Sequence, residues 1–218
     1  MTFLDTSRTI GERLREICPI KWDGKKCIEE MKAGGSHHWK QMEWIGFYFQ
    51  FICDTRLNRI ITIPGPQYGR TGFDGFAGGI PWDFKAHAIN TSSHLIIVND
   101  SEATAHAVAE YGAVGLILAM GEVVYNDDAR TFQEWHDNLK GGKSKYVHER
   151  IARGAWSRLR KVSFYLKQIS FIRLTDDTLI KCGSFQSDFR NSNGKPRRSK
   201  VLIDLEKLEE ETIHFVNF

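Results

Sequence analysis

The stretch GFDGFAGGIPWDFKAH, residues 72–87, decides how the chain is read. Gly78-Gly79 suits a two-residue hairpin turn, because glycine accepts the positive φ that such a turn requires. Folding the segment about that pair sets a register: Ala77 opposite Ile80, Phe76 opposite Pro81, Gly75 opposite Trp82, Asp74 opposite Asp83. Directly opposed residues share one face of a ribbon. Two facing carboxylates repel, and a divalent cation between them reverses the sign. Strand alternation then puts Asp83, Lys85 and His87 on one face, with Trp82, Phe84 and Ala86 on the other. A carboxylate pair with a lysine two residues on is suited to Mg²⁺-dependent hydrolysis of a phosphodiester.

Working outward, 218 residues is the length of one domain, with an ordinary apolar fraction and room for a sizeable core. No apolar run approaches a membrane span. The opening MTFLDTSRTIGERLREIC is charged throughout and is not expected to be a secretory peptide. Cys18, Cys27, Cys53 and Cys182 form no CxxC pair, which fits a reduced cytoplasm better than a disulfide framework or a zinc cluster. The net charge of +3 is mild, but the bases are grouped. Residues 140–161 carry Lys140, Lys143, Lys145, Arg150, Arg153, Arg158, Arg160 and Lys161 against Glu149. Residues 190–200 carry Arg190, Lys195, Arg197, Arg198 and Lys200 with no acid. Such blocks suit DNA or RNA, and also suit two solvated faces.

Residues 6–17 carry an amphipathic stripe of Ile10, Leu14 and Ile17, and 24–33 form a second helix candidate. Gly34-Gly35-Ser36 breaks the chain and offers Ser36 as a cap for a buried helix over 37–53, whose second half also fits a strand. Glu43 lies inside that greasy segment, where a carboxylate needs a partner, a cation or a way out to solvent. Strands are expected at 59–63 and 94–98, a helix from Ser101 to about Gly112, and a buried strand at 114–120. This β–α–β passage through 80–120 predicts an α/β core. Helices are expected at 130–139 and 144–160, β structure over about 162–203, and a short acidic helix after it.

A helix with Glu43, a strand, Asp74, then Asp83-Phe84-Lys85, a helix and the strand 114–120 together resemble the PD-(D/E)XK nuclease superfamily. The likeness covers about 37–120, and the length and basic C-terminal half resemble a type II restriction endonuclease. Phe73 stands where the family name has proline, and the gap between the acids is short for the family. The resemblance implies a mixed central β-sheet flanked by helices. It implies one nuclease domain over 1–218, with the catalytic core at about 37–120 and a basic DNA-contacting elaboration at about 130–203. It also implies that Asp74 and Asp83 ligate Mg²⁺, that Lys85 positions or deprotonates the attacking water, and that Glu43 is the additional helix acid.

The implied activity is sequence-specific cleavage of double-stranded DNA by a homodimer on a palindromic site. Lys143, Lys145, Arg153, Ser157, Arg158 and Arg160 are the phosphate-contact candidates, with Arg153, Ser157 and Arg160 on one helix face. Arg190, Asn193, Lys195, Arg197 and Arg198 are the base-reading candidates. A structure-specific nuclease of junction-resolvase or repair type, and a non-catalytic nucleic-acid-binding protein with this fold, stay open. His136 lacks the asparagine and second histidine of a histidine-metal nuclease. No P-loop, dinucleotide fingerprint or nucleophile elbow is present.

Overall fold

The chain begins with a reciprocal cap: the Thr2 hydroxyl accepts the Asp5 amide at 3.2 Å, and the Asp5 carboxylate accepts the Thr2 amide at 3.1 Å. The computed structural model describes residues 2–126, 129–155, 158–186, 198–209 and 213–218. From that cap runs α1 (Phe3–Ile17), which buries Ile10 and Leu14. It is followed by β1 (Lys21–Asp23), α2 (Gly24–Ala33), a 3₁₀ turn at His37–Lys40 and α3 (Trp44–Arg56). Ser36 caps the 3₁₀ turn, taking the His38 amide at 3.3 Å. The helix expected over 37–53 is therefore interrupted, because the backbone is extended at Gln41 and non-helical at Glu43. Its second half is helix and not strand. Trp44, Ile45, Tyr48, Phe49, Ile52 and Cys53 are buried at helical spacing, so only a helix puts all of them on one side.

The strand expected at 59–63 is instead a turn after α3. Only Thr62 pairs, exchanging backbone bonds of 2.9 and 2.8 Å with Phe76. Then come the ribbon β2 (Gln67–Tyr68) and β3 (Thr71–Gly72), the hairpin β4 (Gly75–Ala77) and β5 (Ile80–Ala88), β6 (Leu95–Asp100), α4 (Ser101–Tyr111) and β7 (Val114–Tyr125). The rest is α5 (Thr131–Leu139), α6 (Lys145–Ala152), β8 (Lys161–Leu174), α7 (Asp176–Cys182), β9 (Gly183–Gln186), β10 (Lys200–Asp204), a 3₁₀ turn at Leu205–Lys207 and β11 (Ile213–Asn217).

The main sheet is mixed, in the order β1–β8–β7–β5–β4, with β11 also on β8. In it β5 and β7 run parallel, and the other pairs are antiparallel. The crossover from β5 to β7 contains α4, as expected, but β6 leaves the main sheet. It pairs with β10, which pairs with β9, in a second, three-stranded sheet. Along β6, Ile96 and Val98 are buried while Leu95 and Ile97 are exposed. That one-sided pattern fits a layer packed over the main sheet, not a strand buried on both faces inside it.

β7 is buried on both faces. Ile117, Ala119 and Val123 meet the core under α1–α3, and Val114, Leu116 and Leu118 meet a second core with Ile96, Val98, Val201 and Ile203. A bulge between the pairs Met120–Gln168 and Gly121–Leu166 shifts the register of β8. The fold is thus helices, mixed sheet, then a small sheet with α4.

Further expectations change. Asp100, not Ser101, caps α4, accepting the Ala103 amide at 3.3 Å; Gly112 closes the helix at φ 77°. The helix expected over 144–160 stops at Ala152. Gly154 takes a positive φ, and the amides of Gly154 and Ala155 bond back to Ile151 and Arg150, which is a Schellman stop. Arg153 and Arg160 therefore do not share a helix face, and Ser157 lies outside the described residues. Within the expected β region lies α7, capped by Thr175; after β10 the described residues form a 3₁₀ turn at Leu205–Lys207, and the expected acidic helix lies partly outside them.

Candidate active site

The hairpin forms as its glycines dictate. Gly78 and Gly79 have φ of 60° and 82°, and the pairs are Gly75–Trp82, Phe76–Pro81 and Ala77–Ile80. A Cβ at Gly78 would run into the Thr6 hydroxyl of α1. Trp82 is fully buried, stacks on Phe3 of α1 with ring centroids 5.4 Å apart, and donates its indole N–H to the Ala77 carbonyl at 3.0 Å. The turn is therefore tied to the helical layer, which fixes where β5 enters the sheet.

The pairing ends just before the two acids, so the expected rung between Asp74 and Asp83 does not form. Asp74 Oδ2 accepts the backbone amide of Phe84 at 2.7 Å, beyond the last rung of the hairpin. Its Oδ1 accepts the Gln50 side-chain amide, from α3, at 2.8 Å. Asp83 is held instead from the second sheet. It is 1 % exposed, and its Oδ1 accepts the Asn99 amide, from β6, at 3.3 Å. Its Oδ2 has no hydrogen-bond partner among the described residues, and Lys85 Nζ lies 3.7 Å from it. The two acids of the motif are thus held from two different layers, Asp74 by the helices and Asp83 by the second sheet.

Burial raises the Asp83 carboxyl to about 6, and the Asp74 charge adds to the shift. Lys85 and Lys200 oppose it, as does the Asn99 hydrogen bond. Asp54, one turn after Gln50 on α3 and half-buried, is likewise raised to about 6 by burial and by Asp74. Burial thus disfavours the charged form of Asp83 while Lys85 and Lys200 favour it, and one of its oxygens lacks a hydrogen bond among the described residues.

Gln50, Asp54, Asn99 and Lys200 were not among the expected site residues. Gln50 and Asp54 had a signal, an i, i+4 polar pair on an otherwise apolar helix. Asn99 had none and Lys200 stood out only within the 190–200 basic block, because only the tertiary fold brings β6 and β10 near Asp83. Glu43 lies just outside α3, largely exposed, and pairs with Lys161 Nζ at 3.0 Å. The α3 residue bonded to Asp74 is Gln50, not Glu43.

A cavity of about 430 Å³ opens beside β5, where β4 no longer covers its edge. Its walls include Glu43, Gln50, Phe84, Lys85, His87 and Lys161. Asp74 and Asp83 are not on its wall, whereas Gln50 and Lys85, their side-chain neighbours, are. His87 is half-buried, and its pKa is lowered by burial, with Lys161 and His94 adding to the shift.

The basic candidates separate. Lys143, Lys145, Arg153 and Arg158 are exposed. Arg160 is buried. Arg198 lies 4.0 Å from Asp100, the cap of α4. Arg190, Asn193, Lys195 and Arg197 lie outside the described residues. No three His, Cys, Asp or Glu side chains group to hold a metal among the described residues. No helix among them is long and apolar enough to cross a membrane.

No protein-family model matches the chain, and no curated protein sequence does. Among solved structures it is similar to the restriction endonuclease BglI bound to its DNA recognition sequence. The identity is 10 %, covering 99 % of this chain and 87 % of that one, with a TM-score of 0.43. A likeness that distant carries no functional weight, and the function is read from the site itself.

Proposed function

We propose that the chain is a Mg²⁺-dependent endodeoxyribonuclease that hydrolyses phosphodiester bonds in double-stranded DNA, of the sequence-specific type II kind. The observation that carries this reading is the buried Asp83 with an unpartnered Oδ2, Lys85 at 3.7 Å, and Asp74 bonded to the next backbone amide. An orphaned buried carboxylate oxygen is costly unless something positive fills the place.

Asp74 and Asp83 supply hard oxygen donors, the kind Mg²⁺ takes, one or two carboxylates at a time with water and phosphate oxygens completing the set. When bound there, the cation would offset phosphate charge and acidify a water. Lys85 holds the attacking water and faces the charge that grows on the phosphate; as an ammonium it gives up a proton when its surroundings favour that. Gln50 and Asn99 orient the two carboxylates. Lys200 adds positive charge from the second sheet. Lys143, Lys145, Arg153 and Arg158 offer exposed cations to the backbone. A two-fold dimer matches a palindromic site.

Digestion of a plasmid of known sequence tests the reading. Discrete, reproducible fragments in Mg²⁺ and none in EDTA are expected. Cuts confined to junctions or nicked structures would replace type II specificity by a structure-specific nuclease.

A further inference from the structure

A second cavity, of about 480 Å³, shares Glu43 with the cleft as a lining residue. Its walls come from α6, the segment leading into β8, and α5, and include Gln133, Arg150, Arg158 and Arg160. Arg160 is only 6 % exposed. Its backbone is pinned, the carbonyl accepting the Asn126 amide at 2.7 Å. Yet its Nε and Nη1 have no hydrogen-bond partner among the described residues.

The acids whose charge reaches Arg160 are Asp137 and Glu43. Glu43 has Lys161 Nζ at 3.0 Å, and Asp137 has Lys140 Nζ at 2.8 Å on Oδ1, while its Oδ2, like Nε and Nη1 of Arg160, makes no hydrogen bond among the described residues. A guanidinium cannot shed its proton, so a buried one with idle donors calls for an acceptor. Its planar fork matches the oxygens of a phosphate, and Arg158 stands exposed at the same wall.

We infer that this cavity is a phosphate-binding site, gripped by Arg160 from the buried wall and by Arg158 from the rim. Its occupant is a phosphate of the DNA backbone. That second half rests on the nuclease reading, and the first half does not. Glu43, paired with Lys161, lines both cavities and so is common to the two sites.

The test has two arms. Inorganic phosphate is titrated calorimetrically into the wild type, Arg158→Gln and Arg160→Gln, each first shown to melt cooperatively. A 20-base-pair duplex is bound to the same proteins over a salt series in EDTA. Phosphate is expected to bind the wild type, to compete with the duplex, and to weaken by about tenfold or more in Arg158→Gln, the value of one charged hydrogen bond. Each variant should also lower the slope of log K against log salt by about 0.9. A purely structural Arg160 leaves the slope unchanged. Should Arg160→Gln fail to fold, Arg158→Gln carries both arms. Phosphate bound through Arg158 without competition by duplex makes the occupant a free phosphate and overturns the DNA half. Duplex binding with unchanged slopes and no phosphate binding overturns the site while leaving the nuclease reading intact.

Discussion

Asp83 shows what the site costs the fold. Its folded carboxyl titrates near 6 against an ordinary 3.8, chiefly through burial. The folded protein therefore holds this proton more tightly than the unfolded one. The stability it contributes is complete below about 3.8 and is lost as pH rises through about 6. Asp54 acts in the same direction. In EDTA, Asp83→Asn should therefore melt higher than wild type at pH 8, by an amount on the order of 1–3 kcal/mol, and the gap should shrink towards pH 4. Mg²⁺ at pH 8 should raise the melting temperature of the wild type and leave Asp83→Asn nearly unmoved. Melting curves that are parallel across pH, or equally sensitive to Mg²⁺, contradict the assignment. Gln50 tests the other carboxylate. Gln50→Ala removes one of the two donors to Asp74. It should lower cleavage by about 10–100-fold, as loss of a ligand-orienting partner does, while DNA affinity stays the same.

The hairpin is the element on which the site depends, and its turn can be probed without touching the acids. Gly79 has φ 82° and open space around it, so alanine there meets backbone strain and no collision. Gly79→Ala should destabilise by about 1–2 kcal/mol, read as a lower urea midpoint with an unchanged slope. This element was legible because its register follows from two glycines and a period of two, both local facts. α1, α2 and the closure of α4 at Gly112 were legible for the same reason. The strand expected at 59–63 was not, because Ile61 reaches the core from a turn and so imitates a strand residue. β6 was legible as a strand but not as a member of a second sheet, since partner choice depends on β10, more than 90 residues further on. The site divides along the same line. Asp74, Asp83 and Lys85 sit on one hairpin and were found together, whereas Asn99 and Lys200 arrive by tertiary packing. Glu43 drew attention by its greasy neighbours, but the helix begins one residue later and leaves it outside.

Across the molecule, a cleft at the edge of β5 and a cavity walled by α6 share Glu43. Binding of duplex DNA should weaken with salt, and removing Arg153 or Lys145 should lower the slope by about 0.9 for each phosphate that is no longer neutralised. Unchanged slopes for both would make α6 a solvated face. Sedimentation of the protein with a cleavable duplex should give a two-fold complex if palindromes are read by a dimer. The central claim is that Asp83 and Lys85 make the chain a metal-dependent nuclease, and plasmid cleavage by the wild type, Asp83→Ala and Lys85→Ala, in Mg²⁺ and in EDTA, tests it most directly. The wild type is predicted to cut only in Mg²⁺, and both variants to stay folded, bind DNA and not cut. Cleavage by Asp83→Ala at the wild-type rate, with contaminating nuclease excluded, would contradict the claim.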